Sequence, residues 1–76
     1  MTADHFEETM IALLDRVPFE LFTVELNTGK RIEIDHSRAA LVRNGKAVFV
    51  GPGGTPHWFD HESVTQIIEA SANVEE

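Results

Sequence analysis

Hydrophobic positions along the chain change period once, and the change divides it into a helical part and a β part. Phe6, Met10, Leu13, Leu14 and Val17 follow the i, i+4, i+7, i+8, i+11 spacing of one helical face, with Ile11 off the centre of the stripe. This predicts a helix over 4–16. Asp4 with Glu7 three residues on has the form of a capping box, and Glu8 complements the N-terminal dipole. Pro18 ends the helix and biases Val17 toward an extended conformation. Beyond it, Phe22, Val24 and Leu26 alternate with Thr23 and Glu25, the pattern of a half-buried strand. Asn27-Thr28-Gly29 makes a turn, and Ile32 and Ile34 alternate with Arg31, Glu33 and Asp35 on the way back. Glu25 and Glu33 are placed to meet Arg31 or Lys30 across the solvent face of this hairpin. His36-Ser37-Arg38 breaks the alternation as a bend.

A second hairpin follows. Residues 39–43 and 46–50 flank Asn44-Gly45, the favoured pair for a two-residue type I′ turn because both positions need positive φ. The turn sets Arg43 opposite Lys46, Val42 opposite Ala47 and Leu41 opposite Val48. One face then carries Leu41, Val48 and Val50, with the two bases at its tip. The other carries Ala40, Val42, Ala47 and Phe49. A hairpin apolar on both faces needs a cover on each side. The helix can supply one cover, and a second copy of the chain can supply the other.

Gly51-Pro52-Gly53-Gly54-Thr55-Pro56 reads as a connecting loop; it lacks the Lys-Ser/Thr ending of a phosphate-binding loop. Residues 57–60 form a short strand, 61–63 a tight turn and 64–68 a last strand. Trp58 and Phe59 point to opposite faces, so one is core. The other lies under the helix, the default for a tryptophan, or stands exposed as an interaction anchor. The expectation is a single domain over 1–69: helix 4–16, a β-barrel over 20–68, and a flexible acidic tail over 70–76. The fold class is mainly β with one N-terminal helix, a small bent antiparallel barrel of about five strands, SH3-like or Sm-like. Closure would remove the sheet edges that a short meander exposes.

Composition narrows the chemistry. The chain has 76 residues and no cysteine, which excludes disulfides, Cys-ligated zinc, iron–sulfur clusters and thiol catalysis. No apolar run reaches about 18 residues, and the first ten carry acids where a secretory signal has bases, so the expectation is a cytoplasmic protein without a membrane partner. The net charge is −7, which disfavours nucleic acid. Its distribution is uneven: Lys30, Arg31, Arg38, Arg43 and Lys46 fall within residues 27–46, and residues 47–76 contain no base.

Two resemblances follow from the motifs. Arg16-Val17-Pro18-Phe19-Glu20-Leu21-Phe22, then Gly29-Lys30-Arg31 and Asp35-His36, resemble a group of small uncharacterised bacterial proteins. That match covers about half the chain and implies fold without an activity. The helix, the Arg-Val-Pro stretch, the Asn-Gly hairpin and the ending from Trp58 to Ile68 are similar to the Sm-like fold of the bacterial RNA chaperone. This second resemblance implies ring assembly and RNA binding. The chaperone's Tyr-Lys-His tripeptide would fall on Asp60-His61-Glu62, where two acids stand in its place.

Candidate catalytic groups are sparse. His5, His36, His57 and His61 lack HExxH spacing, and Asp60 and His61 meet Asp35 and His36 only if the first and last strands are neighbours. Ser37, Ser63 and Ser71 lie in no nucleophile elbow. No enzyme, metal or cofactor is implied. The function expected is a non-catalytic protein-interaction module whose partner is another protein or a second copy. Its surface is Leu41, Val48 and Val50 with whichever of Trp58 and Phe59 is exposed. The alternative is an Sm-like nucleic-acid binder using Lys30, Arg31, Arg38, Arg43 and Lys46.

Overall fold

The structure, a computed structural model, describes residues 1–69; the expected tail at 70–76 lies outside the described residues. It holds one helix, α1 (Ala3–Leu14), and six strands: β1 (Phe22–Leu26), β2 (Arg31–Ile34), β3 (Ala40–Arg43), β4 (Lys46–Val50), β5 (Pro56–Asp60) and β6 (Val64–Glu69). The expected composition, mainly β with one N-terminal helix, is present.

The helix differs from expectation at both ends. Thr2 is the N-cap, its hydroxyl oxygen accepting from the His5 N–H at 3.2 Å, so Asp4 sits inside the first turn instead of capping it. Its charge still favours the dipole there. The helix stops at Leu14, where the Asp15 N–H donates to the Ile11 carbonyl at 2.9 Å. A proline ring clashes with the carbonyl four residues back, so Pro18 limits the helix at Leu14 rather than at Arg16. Val17 therefore leaves the apolar stripe and is 93% exposed. Phe6, Met10 and Leu13 are buried, and Leu14 packs at the edge of the core.

The strands form two antiparallel sheets of three, ordered β2-β1-β6 and β3-β4-β5. The two hairpins have the expected registers. Glu25 pairs with Arg31 in the first, and Arg43 with Lys46, Val42 with Ala47 and Leu41 with Val48 in the second. Asn44 and Gly45 both take positive φ, 54° and 77°. β6 returns to the first sheet and pairs with β1, with a register shift between Glu25 and Leu26. Asn27 fastens the end of this pairing where β1 stops and β6 begins. Its backbone N–H donates to Ser63, its side-chain NH2 donates to the Glu62 carbonyl, and its Oδ1 accepts from the Thr65 hydroxyl.

The sheets are not closed into a barrel, and there are six strands where about five were expected. One physical reason lies in β5. Its residues 57 and 59 face β4, so the groups of Pro56, Trp58 and Asp60 point to the free edge. Pro56 has no N–H, and the N–H and carbonyl of Asp60 are taken by Ser63. Little remains there for another strand to pair with.

The two sheets share one core. Phe22, Val24, Ile32 and Ile34 come from the first, Ala40, Ala47, Phe49 and Phe59 from the second. α1 lies against β3 and sends Phe6 edge-on into Phe59, with ring centroids 6.1 Å apart. Phe19 meets Phe22 in the same manner at 6.2 Å.

The Asn44-Gly45 turn also receives the His61 ring. A Cβ on Gly45 would lie 2.8 Å from His61 Cδ2, and that ring is held by a contact of 2.9 Å between its Nδ1 and the Met1 carbonyl. Gly45→Ala is expected to cost about 1–3 kcal/mol, from positive φ plus the clash. In a His61→Ala background the same change should cost about 1 kcal/mol less, because the closest clash is gone while the φ penalty and a 3.1 Å approach to the Ala3 Cβ remain. Chemical denaturation of the four proteins checks this; equal penalties in both backgrounds would contradict the contact.

Candidate functional site

Alternation along β3, β4 and β5 gives the second sheet an inner and an outer face. Phe59 points inward, and it belongs to the core rather than to the interaction surface. Trp58 points outward and is 75% exposed, against the default of burial under the helix. The helix covers the opposite face of this sheet, so Trp58 cannot reach it.

Register defines the outer face in rows. Leu41, Val48 and Trp58 lie side by side across the three strands. Arg43, Lys46 and Asp60 form the next row toward the hairpin tip, and Val50 and Pro56 lie on the other side. Leu41 is 73% exposed and Val50 45%, with Val48 half-buried between its neighbours. A shallow groove of about 180 Å³ runs between Leu41, Arg43, Lys46, Val48 and Trp58. A second depression, of about 410 Å³, continues from Lys46 and Trp58 to Asp60 and Ser63.

Asp60 gives this face a fixed negative charge. Its Oδ1 accepts from the Ser63 N–H at 3.0 Å. Hydrogen bonding from the Ser63 side chain, then from the Ser63 backbone, holds the carboxyl below its ordinary value, with a smaller contribution from His61. The Ser63 hydroxyl oxygen also accepts from the Asp60 N–H at 3.2 Å and lies 2.9 Å from the Asp60 carbonyl, which closes the turn.

The five candidate bases do not converge on one surface. Lys30 and Arg31 line a cleft that also contains Glu33 and Asp35, and Arg31 lies 3.7 Å from Glu25. Arg38 sits in the connection between the sheets. Arg43 and Lys46 border Trp58 and form no ion pair among the described residues.

The histidines have separate surroundings. His57 stacks on Phe49 with centroids 6.0 Å apart, and His36 Nδ1 accepts from the Arg38 N–H at 3.1 Å. His61 faces Met1, and His5 is exposed on the helix. β1 and β6 are neighbours as the metal reading required, yet among the described residues no three His, Asp or Glu side chains gather as ligands. Ser37 and Ser63 make no hydrogen bond to a histidine among the described residues; Ser71 lies outside them.

No protein-family model matches the chain, and neither a curated protein nor a solved structure matches it.

Asn27, Asp60 and Ser63 have structural roles that the sequence pattern did not assign. The spacing of Asp60 and Ser63 around a two-residue turn is the one signal that bears on them, since Asp and Ser both bond their own backbone in turns. Because the Asp60 carboxyl is held below its ordinary 3.8, its charged form stabilises the fold above that value, and the contribution is lost as pH falls through the lowered value. Asp60→Asn should therefore lower Tm at neutral pH, and the gap to the original chain should shrink as pH drops below 3.8. Thermal melts across that range check the sign; a gap that is constant with pH would contradict it.

Proposed function

We propose that the chain is a protein-interaction module that binds through the outer face of β3–β4–β5. The observation that carries this is the exposed row Leu41–Val48–Trp58. A central strand and its two neighbours present three apolar side chains in line, with the helix already spent on the other side of the same sheet. Exposed apolar patches of a few hundred Å² are where small proteins meet their partners, and Trp is among the commonest anchors. The grooves beside Trp58 are shallow, which suits a protein surface better than a small substrate. The SH3-like or Sm-like reading of the fold belongs with this proposal, as a compact β scaffold that displays one sheet face.

The nucleic-acid reading draws less support. Its bases fall into separate groups, and Asp60 and Glu62 occupy the Sm-like tripeptide positions.

Val48→Glu tests whether the row is surface or core. On an outer face it should leave the chain folded, costing about 1 kcal/mol and lowering Tm by less than about 8 °C. A photoreactive benzoylphenylalanine placed at position 58 in cells expressing the full chain should give a discrete protein adduct. Val48→Glu should abolish that adduct, and the same probe at position 8 should not give it. Unfolding by Val48→Glu, adducts with nucleic acid alone, or no adduct at position 58 would each overturn the proposal.

A further inference from the structure

The structure points to a second copy of this chain as the partner, seated face to face about a two-fold axis that runs along β4. This rests on the outer face being the interaction surface. The argument comes from the register. Rotation about an axis parallel to β4 exchanges β3 with β5 and keeps β4 opposite itself. Trp58, on β5, then lies over Leu41 of the second copy, on β3, and the reverse contact is made at the same time. Arg43 of each copy lies over Asp60 of the other. Val48 meets Val48 and Val50 meets Val50 on the axis. Large apolar side chains thus face apolar ones, and two Arg43–Asp60 pairs flank the Lys46 pair on the axis, which gives the self-complementarity an isologous interface requires.

Sheet twist is compatible with this arrangement. Packed sheets cross at about 30°, and strands lie about 4.8 Å apart, so Leu41 and Trp58 shift by about 2–3 Å relative to their opposites, and Arg43 and Asp60, one row further along, by about 4 Å. A side chain as long as Trp or Arg spans that shift. The other dyad in the plane of the face, perpendicular to the strands, lays Lys46 over Val50 of the second copy. It would bury that ammonium against apolar surface without a partner, at substantial desolvation cost. On the axis along β4, Lys46 meets Lys46 beside the Asp60 carboxylates of the same row.

Area sets the strength. Leu41, Val50 and Trp58 offer on the order of 400 Å² of accessible surface per copy, against about 800 Å² per partner in a standard stable complex. The dimer is therefore weak and depends on concentration.

Sedimentation equilibrium of the full chain from about 5 to about 500 μM tests the inference. The expected result is a monomer–dimer equilibrium within that range. Arg43→Glu sets two acids opposite each other and should weaken association about tenfold or more. Lys46→Ala removes the like-charge pair on the axis and should tighten it several-fold, a sign that an acidic partner of another kind would reverse. Circular dichroism checks that both variants fold. A monomer at every concentration, or a dimer that Arg43→Glu leaves unchanged or Lys46→Ala weakens, overturns the pairing. A monomeric chain that still gives a Val48-sensitive adduct with another protein at position 58 would refute the second copy while leaving the interaction surface in place.

Discussion

The docking of α1 against β3, with Phe6 on Phe59 and Met10 and Leu13 in the core shared by the two sheets, is the contact on which the rest depends. Among the described residues α1 is the only α-helix; the other non-β element is a three-residue 3-10 turn at Pro52–Gly54. With Phe6 edge-on to Phe59, and Ala40, Ala47 and Phe49 in the same core, that helix is committed to one side of β3–β4–β5. The described residues build one core, and none of their elements forms a layer over the outer face of the second sheet. Because this sheet is apolar on both faces, its other face stays open, and Leu41 and Trp58 stand about three-quarters exposed. The exposed row follows from a shortage of covering elements combined with an apolar pattern that runs through the strand on both sides.

Most of the secondary structure was legible because it rests on local chemistry. Asn44-Gly45 allows one tight hairpin, and that turn fixes which residues face each other across β3 and β4. Alternation at Phe22, Val24, Ile32 and Ile34 identified the buried side of β1 and β2 without any knowledge of the rest. The helix ends were less legible. Thr2 and Asp4 are both good caps, and sequence spacing favours the box that Asp4 makes with Glu7. The choice of Thr2 adds one residue at the start, and the reach of the Pro18 ring back to Leu14 removes two at the end.

Long-range features were not legible. Whether β5 pairs onward to close a barrel depends on Ser63 reaching back to Asp60, on Pro56 lacking an N–H, and on β6 choosing β1 as its neighbour. The threefold use of Asn27 joins residues more than 30 positions apart, and no local pattern marks it. At the candidate surface, the pattern placed Leu41, Val48 and Val50 on one face, and adjacency placed Trp58 and Phe59 on opposite faces. Which of the two aromatics is core was settled by the position of α1. The same tertiary geometry keeps the histidines in separate environments, so their number in the sequence carries no chemistry of its own.

The central claim is that the outer face of the second sheet is open while its inner face is closed. Trp58 is the only tryptophan and the chain has no tyrosine, so its fluorescence reports on this face alone. The most direct measurement is the emission and quencher accessibility of the folded chain at high dilution. The account predicts a solvent-exposed emission, quenched nearly as efficiently as free tryptophan. A blue-shifted emission shielded from quencher in the dilute folded chain would place Trp58 in the core and contradict the account.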